Sequence, residues 1–207
     1  MKLLIIGATG RCGLATTKRA LQCGDFDVTA FVRTSSTLPE HTTNKIKVIT
    51  GDILNADDIC DAINGQDAVI SCLGSRTFGA TTLYSIGMQN IVAGMRKHDV
   101  RDLYFIGGII YMPGFPKPPE LPPVTEDVER MISFITNSND IAWVGCMPPD
   151  ILDGECTEHY KAAVNSLPGP GKVTAGDIAD WMVSSLSDQA QREKNKHKLF
   201  GISSMDL

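Results

Sequence analysis

Short apolar runs recur along the chain, separated by polar stretches of helical spacing and by glycine. Leu3-Leu4-Ile5-Ile6 is too short for a helix and reads as a buried strand. Residues 28–32, 46–49, 68–73, 103–106 and 141–144 repeat that signature, and 160–164 and 198–202 read as short strands. Between the runs lie helical patterns. Leu14, Ala15, Ala20 and Leu21 follow the first strand. Asn55 caps a short helix whose first turn carries Asp57 and Asp58, where the helix dipole favours them. A longer helix is predicted over 82–97, with Leu83, Ile86, Ile91 and Met95 on its buried face. Thr125 is placed as the cap of a helix bearing Val128, Met131, Ile132 and Ile135, and a last helix over 177–186 is entered through Gly176. Such alternation predicts an α/β fold: one domain over residues 1–207, built as a doubly wound parallel sheet with helices on both faces. Residues 113–123 hold six prolines and are neither helix nor central strand. They are expected to form a loop over the carboxyl ends of the strands.

The turn after the first strand concentrates the chemistry. Gly7-Ala8-Thr9-Gly10-Arg11-Cys12-Gly13 has the spacing G-x-x-G-x-x-G between a strand and a helix. Free N–H groups and the helix dipole at such a turn attract an anion, and glycine lets the main chain approach a pyrophosphate where a Cβ would clash. The turn therefore predicts a dinucleotide site.

Charge and cysteine content narrow the partners. A net charge of −5 argues against non-specific nucleic-acid binding. No stretch approaches the length and apolarity of a membrane-spanning helix, and the N-terminal strand is not expected to be a removable leader. Cys12, Cys23, Cys60, Cys72, Cys146 and Cys156 lie far apart with no metal-ligand spacing, as expected for reduced thiols of a cytoplasmic protein. No metal is called for.

Arg33 bears on the coenzyme. A nicotinamide-binding sheet selective for NAD carries an acidic residue at the end of its second strand, where it holds the ribose 2′-hydroxyl. Here Arg33 takes that place, and a guanidinium favours a 2′-phosphate. NADP(H) is the coenzyme expected. Arg11 is either a second cation on that side or a solvated surface charge. Asp52 and Ile53 follow the third strand where adenine would lie, though Asp52 could equally cap a turn. Leu73, Gly74 and Arg76 leave the fourth strand towards the same crevice. Tyr84, Tyr104, Tyr111 and Tyr160 all lack a lysine four residues on, which speaks against alcohol or sugar dehydrogenation by a tyrosine–lysine pair. His41, His98, His159 and His197 do not follow a core strand and read as surface residues. The strand ends expected to face the nicotinamide, Gly107-Gly108-Ile109-Ile110 and Met147-Pro148-Pro149-Asp150-Ile151, are apolar apart from Asp150.

Taken together, Gly7 to Gly13, Val32 to Pro39, Gly51 to Leu54, Gly65 to Ile70, Leu73 to Arg76, Asn90 to Ala93 and Met147 to Pro149 resemble the NADPH-dependent flavin reductase / biliverdin-IXβ reductase family, atypical short-chain dehydrogenases. The resemblance spans nearly the whole chain. It implies a monomeric cytosolic Rossmann-type protein that passes hydride from NADPH to a planar small molecule, a flavin (FMN, FAD, riboflavin) or a biliverdin-type tetrapyrrole. The coenzyme contacts it implies fall on Gly7, Thr9, Gly10, Cys12, Gly13, Arg33, Ser36, Asp52, Ile53, Leu73, Gly74, Arg76 and Pro149, with Asp150 and Ile151 adjoining. Ile109, Ile110 and Tyr111 are expected on the acceptor side. Three positions depart from the family. Gly108 stands where a serine is implicated in catalysis, Asp150 where a histidine stands, and Thr37 where a second arginine meets the 2′-phosphate. These losses leave an alternative open: an NADP-occupied redox sensor that acts through a partner.

Overall fold

A computed structural model describes residues 1–34 and 38–207. Its centre is an eight-stranded sheet in the order β3-β2-β1-β4-β5-β6-β10-β8. β1 is Lys2–Ile6, β2 Asp27–Val32, β3 Lys47–Thr50, β4 Ala68–Ser71, β5 Asp102–Ile106, β6 Ala142–Met147, β8 Tyr160–Val164 and β10 Lys198–Ser204. Every pairing in this sheet is parallel except that of β10 with β8. The short strands β7 (Asp150–Leu152) and β9 (Lys172–Thr174) form a separate parallel pair.

Strand residues alternate between two cores, as the period of two demands. Leu4, Ile6, Val69, Leu103 and Phe105 face one core with α3 (Ala56–Ile63), α4 (Leu83–Lys97) and α5 (Val124–Thr136). Leu3, Ile5, Ala68, Ile70 and Tyr104 face the other, with α1 (Arg11–Cys23) and α6 (Ala175–Ser187). The predicted α/β sheet with helices on both faces is what forms. α2 (Glu40–Thr43) and α7 (Gln189–Asn195) complete the helices of the described residues. None of them is long and apolar enough to cross a membrane.

Local chemistry explains where elements start. Asn55 caps α3 as expected, its side chain accepting from Asp57 N at 3.0 Å. Thr125 does not cap α5. Pro123 is already at φ −57°, ψ −26° and stands at the cap, so the helix begins two residues earlier, and the Thr125 hydroxyl donates to Pro122 O at 2.6 Å. Ile86, expected to be buried, is 37% exposed: the inner face of α4 is Ser85, Met88, Ile91, Val92 and Met95.

Candidate functional site

The carboxyl ends of β1, β2, β4 and β5 open into a cleft of about 500 Å³. By the strand-end rule for open α/β sheets, this is where a ligand lies. Its floor is the glycine turn. Gly7 sits at φ +78°, and a Cβ there would stand 2.5 Å from Cys72 O; one on Gly13 would stand 2.1 Å from Gly7 O. Both positions require glycine, Gly7 for its dihedral and Gly13 for the close packing of α1 on the turn. Gly10 N donates to Gly7 O at 3.0 Å, which closes the turn. α1 then starts at Arg11 with no side-chain cap and no acidic residue in its first turn. An uncapped helix N-terminus facing a cleft suits an anionic group.

Thr9, Gly10, Arg11 and Cys12 line the cleft with Gly7, and Ile53, Leu73, Gly74 and Arg76 line it opposite. Arg33 lines it from the end of β2. The arginines divide informatively. Arg11, Arg19, Arg96, Arg101, Arg130 and Arg192 each hold an ion-pair partner. Among the described residues Arg33 and Arg76 do not, and both line the cleft. Arg11 is committed elsewhere: its Nε lies 2.7 Å from Asp153 Oδ1 and its Nη1 donates to Ile151 O, tying α1 to β7 and the residue that follows it.

Several expected contacts fall outside the lining. Asp52 is exposed and its carboxylate serves its own turn, Oδ1 accepting from Leu54 N at 3.0 Å while Asp52 N donates to Asp58 Oδ2 at 2.9 Å. Of the two roles open to it, the turn is the one its hydrogen bonds serve. Gly13 packs behind the glycine turn and does not border the cleft. Ser36, with Thr37, lies outside the described residues.

The end of the cleft beyond β5 differs most from expectation. Gly108, Ile109, Ile110, Pro149 and Asp150 do not line it; Ile106, Gly107, Tyr111, Val128 and Ile151 do. After Gly108 the chain tightens into a 3-10 turn, Ile109–Tyr111, with Tyr111 N donating to Gly108 O at 3.0 Å and Met112 N to Ile109 O at 3.1 Å. The turn buries Ile109 in the core and brings Tyr111 to the cleft. Its ring lies over Gly108, where an added Cβ would stand 3.2 Å from Tyr111 Cε2. Asp150 opens β7 in register with Lys172 of β9 and is exposed. The prolines at 148 and 149 cannot donate to a ladder, and the chain leaves the main sheet there.

Burial holds two thiols and one phenol of the cleft in their neutral forms. Burial pushes the Cys12 thiol up to about 11 and the Tyr111 phenol up to about 12, and it raises Cys72 as well. Sequence reasoning missed Tyr84, which also lines the cleft and whose phenol oxygen accepts from Ser75 N at 2.7 Å. The available signal was its place at the start of a helix that follows a strand end.

Comparison with known proteins places this geometry. Residues 7–189 match the family model described as NAD(P)H-binding. Among solved structures, a candidate epimerase from Bacteroides thetaiotaomicron is 26% identical, with a TM-score of 0.80, and the match covers 100% of this chain and 98% of that one. The anaerobilin reductase ChuY from Escherichia coli O157:H7 is 17% identical with a TM-score of 0.81, covering 100% and 98%. A short-chain dehydrogenase/reductase from Veillonella parvula, solved in complex with NADP, is 13% identical with a TM-score of 0.82, covering 98% and 94%. At the two lower identities the likeness is one of fold. With the family model spanning most of the chain over a glycine turn, a bare helix N-terminus and two arginines on the cleft, the protein belongs to the NAD(P)H-binding family.

Proposed function

We propose that the protein is an NADPH-dependent oxidoreductase that reduces planar acceptors, flavins foremost and biliverdin-type tetrapyrroles second. The observation that carries the choice of coenzyme is the pair Arg33 and Arg76, arginines without an ion-pair partner among the described residues, both on the cleft. A guanidinium left unpaired at the end of β2 favours a 2′-phosphate over the bare hydroxyl of NADH. Gly7, Gly10 and the first turn of α1 hold the pyrophosphate, and Ile53 and Leu73 offer apolar contact to adenine.

The bound coenzyme supplies the hydride. Around the place where it is delivered the chain presents Ile106, Gly107, Val128 and Ile151, which exclude water, and Tyr111, whose phenol burial keeps neutral. Such walls align two flat rings and give protons poorly. A flavin suits them: N5 takes the hydride, and the proton that completes the reduced ring comes from solvent. Tetrapyrrole reduction requires a proton on a pyrrole nitrogen and is expected to be slower. The shared fold of the solved anaerobilin reductase supports keeping that second acceptor in view. Steady-state NADPH oxidation with FMN or riboflavin tests the proposal; a rate no higher than background overturns it.

A second function has an observation in its favour. Gly108 carries no side chain and Asp150 stands outside the cleft, so neither position of the implicated catalytic pair offers a donor. A protein that only holds the coenzyme and signals its redox state would bind NADP+ in calorimetry and turn over neither flavin nor tetrapyrrole.

A further inference from the structure

Tyr84 stands at the start of α4, and its hydroxyl reaches out of the helix to the loop that leaves β4. The phenol oxygen accepts the Ser75 N–H at 2.7 Å. The other end of the residue is fixed from α5. Asp127, fully buried, accepts from Tyr84 N at 2.8 Å and Ser85 N at 3.4 Å through Oδ2, and from the Ser85 hydroxyl through Oδ1. A carboxylate is thus spent on the first turn of α4, where it satisfies helix N–H groups and complements the dipole. The ring that springs from this turn is anchored at both ends.

The loop it reaches is held firmly at its start, where Cys72 N donates to Ile6 O at 2.9 Å and Leu73 packs on the core, and more sparsely around Arg76 among the described residues. Among the described residues Ser75 Oγ bonds within the loop alone, donating to Thr77 O at 2.8 Å and accepting from Thr77 N at 3.1 Å. Gly74 and Gly79 stand in open space, with no atom within 4 Å of an added Cβ, so packing at the glycines does not restrain it. Two anchors flank the loop's middle, the Tyr84 bond at Ser75 and, beyond it, Val124 N donating to Phe78 O at 3.2 Å; nearer α4, Arg130 Nη2 donates to Thr81 O at 3.4 Å. Arg76 lies between those two anchors, exposed and facing the cleft without an ion-pair partner among the described residues. An arginine on a loose loop loses conformational freedom on gripping a phosphate, and an anchored one has lost it already.

We propose that Tyr84 is a positioning residue for the coenzyme: by holding Ser75 it aims Arg76 at the coenzyme phosphates. The inference rests on the coenzyme-binding role given above and adds a residue to it. Asp127 and Ser85 act one step further back, through Tyr84.

The test is a double-mutant cycle on NADPH affinity, measured by fluorescence titration of the full chain, with Tyr84→Phe, Arg76→Ala and the double variant. Tyr84→Phe keeps the ring and removes the acceptor. It is expected to raise the Kd about 5- to 10-fold, the scale of one net hydrogen bond, with the melting temperature nearly unchanged. Arg76→Ala is expected to raise it more, and the double variant to match Arg76→Ala within about twofold, because an arginine that is absent cannot be aimed. The salt dependence of the Kd should flatten in Tyr84→Phe towards that of Arg76→Ala, a readout that a merely structural tyrosine would not move. In the wild type the Ser75 amide should exchange slowly with solvent and speed up in Tyr84→Phe. Losses that multiply in the double variant, an unchanged Kd in Tyr84→Phe, or a Ser75 amide exchanging at the free rate in the wild type would each overturn the inference alone. A wild-type protein without affinity for NADPH would remove the coenzyme-binding role as well.

Discussion

At the β1 end of the cleft the main chain forms the site, whereas at the β5 end side chains from separate elements converge on it. Gly7, Gly10 and the bare start of α1 lie in one short stretch of sequence, whose geometry is fixed by Gly7 and Gly13, the positions with no room for a Cβ. Tyr111, Val128 and Ile151 come from a 3-10 turn, a helix and a strand of the small second sheet, and meet only because the fold brings them together. The first construction tolerates no substitution at its tight points but asks for little beyond them. In the second the tight neighbour of Gly108 is a side chain, the Tyr111 ring, which can give by a few tenths of an ångström. The two ends should therefore respond to mutation on different scales.

The largest effect is expected at Gly13. Gly13→Ala sets a methyl group 2.1 Å from the Gly7 carbonyl oxygen, a backbone atom that cannot rotate away. The turn must open, with a stability loss of about 3 kcal/mol and NADPH affinity down by about 100-fold or more. Thermal unfolding and a binding titration measure both, and near-native values would mean that the turn is soft. Next comes Arg33→Asp, which replaces an attractive charge with a repulsive one where the proposed function puts the 2′-phosphate. NADPH affinity should fall by about 100-fold while NADH stays within about threefold, on the scale of a charge-assisted hydrogen bond plus the new repulsion. Equal losses for both coenzymes would move Arg33 off the 2′-phosphate. The smallest is Gly108→Ser at the other end, where the new Cβ meets the Tyr111 ring at 3.2 Å and the ring must tilt slightly. Flavin turnover should change by less than about threefold, since solvent already provides the proton. A tenfold change in kcat in either direction would show that this end is as finely set as the glycine turn.

Much of the β1 end is legible in the chain, because backbone constraints are local. Glycine spacing after an apolar run marks a turn and a helix start whatever surrounds them, and Arg33 follows from its place at the end of β2. The β5 end is less legible for a physical reason. Reading Ile109 and Ile110 as a ledge assumes that the strand runs straight on; two hydrogen bonds turn it instead, burying Ile109 and presenting Tyr111. Asp150 looked like the titratable group of the site, yet the preceding prolines divert the chain into pairing with β9, a strand of three residues with no periodic signal of its own. α7 was likewise missed: QAQREKN has no apolar face, and its start is marked only by Asp188, which accepts from Ala190 N at 2.8 Å and Gln191 N at 3.1 Å. Arg11 shows the limit from the other side, since its partner Asp153 lies far along the chain.

By itself the sequence determined the parallel α/β sheet, the glycine turn and the cation at the end of β2. Strand alternation, the steric demand for glycine and the placing of charge at a strand end all act over a few residues. Only the tertiary structure decided which arginines are left unpaired at the cleft, that Tyr111 covers Gly108, and that Tyr84 reaches Ser75 while Asp127 of α5 holds it in place. Those facts depend on side chains from distant elements arriving at the same few ångströms, and no local pattern of residues encodes that distance.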